Sequence, residues 1–483
     1  MNTTSTMQDK VTPSATSITI GQKLAFGFGM LAQQMFPAAL GVFIIVLVQD
    51  LGFAALLWGI IQFLPRIFDA ITDPIMGFIS DNTRSKWGRR RQYIFVGAIL
   101  MGLAYIAMWQ LYKEDGITYN FVYFLSWSLV FYLGLTIFSV PFVAMGYEIS
   151  DDFHERTQIM AIGQSISQWA WVIAPWLWVI LYDPSWFPAP DQGVRELSIW
   201  VAIPCTLFAL LPAIFMKSKS TVDRTDFAPI NASAILGSVG KIFVSAFAAF
   251  GIKQFRQMTG ATLLIFASFQ VIAAYTWFII VHYMFNSDPA SAGTWPALHG
   301  SVGALITTFM VIPIVTVMSK AWGKKKAFIV CQLISIVGYI LFWFLFVPGK
   351  PYLFLFALPF HSFGIGSLFT IMMSMTADVC DLDELQTGQR REGVLGAVYW
   401  WIVKLGIGLA ALLSGTILWI VGFDAENVTS SALTGMRLFY TFFPIAGVIG
   451  AILIMRSYDI TEERAAQLKE ELIQKRAELT PEA

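Results

Sequence analysis

Residues 54–91 read AALLWGIIQFLPRIFDAITDPIMGFISDNTRSKWGRRR, and the pattern of that stretch decides the fold. From Ala54 to Ser80 the run is apolar and longer than the roughly 20 residues a helix needs to cross a bilayer. It carries Arg66, Asp69 and Asp73 and then gives way to a loop holding Arg84, Lys86, Arg89, Arg90 and Arg91. A basic loop of this kind marks the cytoplasmic end of a membrane helix. Arg66, Asp69 and Asp73 stand at i, i+3 and i+7, along one helical stripe. An ionisable group near the middle of a bilayer costs about 3 kcal/mol or more, so the stripe faces a bundle interior and marks function. Pro74 follows at once; it disfavours the α conformation at Asp73, and the helix is expected to open there and bare carbonyl oxygens.

Outward from this stretch, the same reading repeats along the chain. Twelve runs are almost free of charge: 22–49, 54–80, 92–112, 118–147, 158–182, 197–216, 259–286, 297–319, 327–347, 351–377, 394–421 and 437–456. They are numbered spans 1 to 12. The 483 residues are 57% hydrophobic and 13% charged, about half the usual charged share of a soluble domain. Mean hydropathy is +0.66. Net charge is zero, which supplies no field for nucleic acid. Alternate connections, beginning with the one after span 2, hold eighteen Lys and Arg against four in the others, which places both termini in the cytoplasm. The first twenty residues lack the basic and apolar regions of a secretory signal and read as a cytoplasmic tail. Cys205, Cys331 and Cys380 have no metal-type spacing and belong to packing. No His/Cys/Asp cluster points to a metal enzyme, and no nucleophile–base set is visible.

Two loops repeat. Lys86-Trp87-Gly88-Arg89-Arg90-Arg91 follows span 2, and Trp322-Gly323-Lys324-Lys325-Lys326 follows span 8. Glu148-x-x-Asp151 with Glu155-Arg156 after span 4 echoes Asp378-x-x-Asp381 with Arg390-Arg391 after span 10. Two similar halves describe an all-α membrane protein of the major facilitator type, with twelve transmembrane helices in two pseudo-symmetric six-helix halves. The chain divides into a tail (1–20), a first half (21–216), a cytoplasmic linker (217–258), a second half (259–456) and a second tail (457–483). In the linker Val239, Ile242, Phe243, Ala246, Phe247 and Phe250 recur at helical spacing, with Lys241 off the stripe, as in a helix lying in the membrane interface. The last segment, rich in Glu, Lys and Arg, reads as a solvated charged helix.

Lys404 in span 11 is the remaining charge within a span. The halves meet across the middle, so its natural partners are Asp69 and Asp73. Two carboxylates one turn apart with hydroxyl and carbonyl oxygens nearby make a hard-oxygen site suited to a small cation or a proton. A facing lysine competes with that cation, which ties occupancy to conformation.

The run Arg66-Ile67-Phe68-Asp69-Ala70-Ile71-Thr72-Asp73-Pro74, continuing to Asp81-Asn82-Thr83-Arg84-Ser85-Lys86-Trp87-Gly88, resembles the signature of the glycoside–pentoside–hexuronide:cation symporters. Lys23 to Gly29, Ala377-Asp378-x-x-Asp381 and Val403-Lys404-x-Gly406 are similar to further parts of that family, and the resemblance covers about 21–456. It implies a cation site of Asp69 and Asp73 with Thr136 in span 4 and Lys404. Thr72 stands where the melibiose permease, a family member, has Asn, which leaves Na⁺, H⁺ and Li⁺ open. It implies cytoplasmic gating by Asp81, Arg89, Arg90, Asp378 and Asp381. It implies a sugar site at Gln33, Gln34, Arg66, Ser139, Gln164, Phe369, Tyr399 and Trp400. Four of these, Gln33, Gln34, Ser139 and Gln164, replace charged residues of the melibiose permease by neutral amides and a hydroxyl, while the aromatic rings suit the C–H face of a pyranose. Neutral glycosides are therefore the expected substrates. A lysophospholipid or other amphiphile carrier of the same fold and a non-transporting sensor are the alternatives; a sensor would not keep a buried ion pair. No cofactor is expected beyond a coupling ion, Na⁺ or H⁺. The partners expected are a small-molecule sugar and membrane lipids, with no nucleic acid, for a monomer in the cell membrane (the inner membrane of a Gram-negative cell).

Overall fold

The structure, a computed structural model, describes residues 18–148, 153–216, 220–222, 229–388 and 391–479. Among them every regular element is helical. Eleven continuous helices are long and apolar enough to cross a membrane: Ile20–Gln49, Ala55–Asp81, Arg91–Met108, Ile117–Glu148, Pro190–Phe215, Lys253–Met284, Pro289–Trp322, Lys324–Leu345, Pro351–Thr387, Val394–Ile420 and Ser430–Arg456. They correspond to spans 1–4 and 6–12. Span 5 is a succession of short helices, Phe153–Ser167, Trp169–Ile173, Ala174–Trp176 and Leu177–Leu181, in which Pro175 removes one backbone donor. Asp151, Arg156 and Arg390, named in the repeat, fall outside the residues or side chains described.

Local chemistry explains several helix starts. Thr19 and Gln22 form a reciprocal cap on span 1, with Gln22 N donating to Thr19 Oγ1 at 3.3 Å and Thr19 N donating to Gln22 Oε1 at 3.0 Å. Asp288 accepts from the backbone of Ala290 and Ser291, at 3.0 and 3.2 Å, at the start of span 8. The two repeated loops turn alike: Gly88 and Gly323 both have left-handed backbone, φ 83° and 80°, which glycine adopts without steric cost. The expected opening at Pro74 is absent. The helix runs unbroken from Ala55 to Asp81 through both Pro65 and Pro74, because neighbouring helices hold it in place.

The halves meet along two seams. Spans 2 and 11 cross so tightly that a β-carbon on Gly415 would lie 2.5 Å from the carbonyl oxygen of Ala55 and 2.7 Å from Gly59 Cα. Spans 5 and 8 touch through Ser301 Oγ, which donates to Val172 O at 2.6 Å, and through Pro175 against Gly300. At the end of the bundle away from the termini, Gln49 and His282 share a hydrogen bond of 3.0 Å, and Tyr182 packs on Trp277 at 5.3 Å between ring centres. At the end that carries the termini, the ion pairs described here stay inside each half. Arg90 binds Asp81 and Glu148, both at 2.7 Å, and Arg89 joins Glu148; Lys324 binds Asp378 at 2.6 Å, and Arg391 pairs with Asp383.

One expectation about the flanks changes. The charged C-terminal helix Glu462–Leu479 is not wholly solvated: Leu468 and Leu472 are buried, and Lys475 Nζ donates to Leu385 O, at the end of span 10, at 2.8 Å. In the linker helix Ala232–Ala249, Phe247 is exposed and Val239 half-buried, and Phe250, just past its end, is half-buried. The side chains of Lys241, Ile242, Phe243 and Ala246 lie outside the described set.

Candidate cation and substrate site

The close crossing at Gly59 and Gly415 lets spans 2 and 11 run side by side, with Gly408 against Phe63 and Arg66. One turn further along, Lys404 reaches across the seam to both carboxylates of span 2. Its Nζ lies 2.8 Å from Asp69 Oδ2 and also pairs with Asp73 Oδ2. Span 4 approaches from the other side. Thr136 Oγ1 lies 2.9 Å from Asp69 Oδ1 and 3.2 Å from Asp73 Oδ1. Thr72 Oγ1 is 3.2 Å from Thr136 Oγ1 and donates to its own helix at Asp69 O, 3.1 Å.

The arrangement has two faces. The Oδ2 atoms of both carboxylates turn to the ammonium of Lys404, and the Oδ1 atoms turn to the hydroxyl of Thr136. Asp69 and Thr136 are fully buried, whereas the side chains of Asp73 and Lys404 are 28% and 27% exposed. Water therefore reaches Asp73 and Lys404 but not Asp69. The oxygen set Asp69 Oδ1, Asp73 Oδ1, Thr136 Oγ1 and Thr72 Oγ1 is of the hard kind that takes a small monovalent cation or a proton. Such a cation and the ammonium of Lys404 would draw on the same two negative charges.

Arg66 lies on the same stripe with its guanidinium 5.0 Å from the centre of the Tyr132 ring. Among the described residues it makes no ion pair. Tyr132 carries no sequence signal of its own; only the fold reveals it as the platform under Arg66.

The expected sugar residues occupy several elements. Spans 1 and 4 run antiparallel, with Gly29 against Phe142 and Phe36 against Phe131; Gln34 lies nearer the second contact and Ser139 nearer the first. Gln33, Gln34 and Ser139 are half-buried and Gln164 is exposed. No side-chain hydrogen bond among the described residues engages any of the four. Phe369 is partly exposed and meets Phe266 edge-on at 6.0 Å. On span 11 the two adjacent rings meet edge-on, 5.9 Å between centres. Trp400 is 46% exposed, whereas Tyr399 is 1% exposed and packed into the core.

The gating expectation is similarly redistributed. Arg90 bridges Asp81 and Glu148, Arg89 also binds Glu148, and Asp378 pairs with Lys324. Asp383, which sequence reasoning did not single out, holds Arg391.

A bundle of membrane helices in two halves, joined at a seam by a buried carboxylate–lysine cluster, is a secondary active transporter of the major facilitator fold. The chain belongs to the MFS/sugar transport protein family, whose model matches residues 25–462. It is similar to the putative glycoside/cation symporter YagG of Escherichia coli, 22% identical with 97% of this chain and 98% of the relative covered. It is also similar to the glucuronide carrier protein homolog of Escherichia coli, 24% identical over 87% and 88% of the two chains. These relatives accord with the glycoside–pentoside–hexuronide:cation symporter family. Among solved structures it shares its fold with the nucleoside transporter NupG, TM-score 0.61 at 16% identity, with 91% and 99% of the chains covered. A bacterial homolog of the human lysosomal transporter Spinster in an inward-facing and unoccupied conformation matches with TM-score 0.64 at 15% identity, over 91% and 96%.

Proposed function

We propose that this protein carries a sugar or glycoside across the cell membrane by symport with a monovalent cation, Na⁺ or H⁺. The observation that carries the reading is Lys404 of one half shared between Asp69 and Asp73 of the other, with Thr136 closing the opposite face of both carboxylates. A cation arriving at the Oδ1 side weakens the hold of those carboxylates on Lys404. The bond between the halves then loosens, and the seam of spans 2 and 11 becomes free to move. Without the cation, Lys404 offsets one of the two carboxylate charges and leaves the other for a monovalent cation or a proton to balance.

Substrate recognition falls to Gln33, Gln34, Ser139 and Gln164 as hydrogen-bonding groups and to Phe369 and Trp400 as stacking faces, with Arg66 beside them. Both termini are cytoplasmic, as the Lys and Arg distribution indicates. The contacts between Gln49 and His282 and between Tyr182 and Trp277 then close the outer side, and this is the inward-facing arrangement. The protein acts as a monomer surrounded by membrane lipid.

Uptake into proteoliposomes tests the reading. A panel of labelled glycosides, with Na⁺, Li⁺ or H⁺ gradients imposed one at a time, should show one ion driving accumulation of one sugar class. Equal, gradient-independent equilibration of every sugar would refute symport.

A further inference from the structure

The linker helix Ala232–Ala249 rests on spans 2 and 11, the two helices that carry Asp69, Asp73 and Lys404. Its other side is bare. Leu236, Val244 and Phe247 are 71%, 70% and 76% exposed. They stand at i, i+8 and i+11, on one face of the helix together with Gly240.

We propose that this face is seated in the apolar–polar boundary of the membrane leaflet on the side of the termini, so that the leaflet holds the helix across the seam of spans 2 and 11. Three observations select lipid over a soluble partner. The helix is tethered at both ends to the membrane surface: span 6 ends before it at Phe215, and span 7 begins after it at Lys253. Thr221, in the intervening chain, is pinned to the loop after span 2, accepting from Ser85 N at 3.0 Å and donating to Thr83 O at 3.1 Å. The helix therefore lies at the level where the spans end. Its bare face offers aliphatic and aromatic groups and, among the described side chains, no charge for a partner protein to pair with. Among the described side chains, the nearby cations Lys253 and Arg256 are already engaged, with Asp459 at 3.2 Å and Phe250 O at 2.7 Å. A leaflet gripping this face resists separation of the halves at the seam that holds the cation cluster.

Single cysteines at positions 236, 244 and 247, in the full chain with Cys205→Ala, Cys331→Ala and Cys380→Ala, would carry a nitroxide label in phosphatidylethanolamine–phosphatidylglycerol proteoliposomes. Labels seated in lipid collide freely with oxygen and poorly with a water-soluble nickel chelate, the reverse of a label at Glu470 on the C-terminal helix. Nickel access equal to that at Glu470 would overturn the proposal, as would shielding from both reagents, which would mean that protein covers the face. The depth measurement does not depend on which solute is carried. As a second readout, Phe247→Asp should slow transport several-fold while Phe247→Leu leaves it unchanged. Equal rates in the two variants would remove the link between leaflet and seam.

Discussion

Asp73→Asn tests the coupling mechanism most directly. The substitution keeps the size of the side chain and its acceptor toward Thr136 but removes one of the two negative charges shared by Lys404. Lys404 Nζ serves as the gauge for a monovalent cation in this site, since it lies 2.8 Å from Asp69 Oδ2. At that separation a unit charge pair is worth about 6 kcal/mol at an effective dielectric constant of 20. Asp73 is 28% exposed, and the asparagine retains a dipole toward the cation, so roughly half of that figure is lost in the variant. About 3 kcal/mol corresponds to a loss of cation affinity on the order of 100-fold. The helix should still insert, because Lys404 keeps Asp69 and no buried carboxylate is left alone. Purified protein in proteoliposomes would be given an imposed ion gradient and a labelled substrate, with cation affinity read separately by isothermal titration. Substrate should equilibrate without accumulating. If the variant still concentrates substrate against its gradient, Asp73 is not a coupling residue and the cluster is a static bridge.

Gln34→Ala and Ser139→Ala should each weaken substrate binding by about 1–3 kcal/mol, roughly 5- to 150-fold, while cation affinity at Asp69 and Asp73 holds; unchanged substrate affinity in both would show that the pocket lies elsewhere. Trp400→Ala should raise the substrate KM more than Tyr399→Phe, since only the first removes an exposed ring; competition between the two variants and wild type for one labelled sugar measures it. Neutral glycosides should outcompete their uronate counterparts in the same assay, and the opposite order would make Arg66 an anion-binding residue. Burial pushes the Asp50 carboxyl up from 3.8 to about 7 even though Tyr182 donates to it at 2.8 Å. The closed arrangement around Asp50 thus binds a proton more tightly than a hydrated one. Acid favours closure, and that preference is lost as pH rises from about 4 to about 7. Asp50→Asn should flatten the pH dependence of thiol labelling at the end of the bundle away from the termini, and an unchanged profile would count against it.

The sequence by itself determined the membrane class, nearly all the spans and the charged residues of the carboxylate–lysine cluster. The reason is energetic: a bilayer forces apolar length on every helix, and it makes each ionisable residue inside a span stand out against that background. Asp69, Asp73 and Lys404 were legible for this reason although Lys404 lies more than three hundred residues away. Thr136 and Thr72 were legible only through family resemblance, since a hydroxyl in an apolar helix gives no comparable signal. Only the tertiary structure decided which oxygen of each carboxylate faces lysine and which faces threonine. It also decided that Tyr399 turns inward while Trp400 stays exposed, that Asp383 holds Arg391, and that the C-terminal helix buries Leu468 and Leu472. Each of these depends on how far a helix is rotated about its own axis against its neighbours. Close packing of side chains from several helices sets that rotation, and no single stretch of sequence contains it.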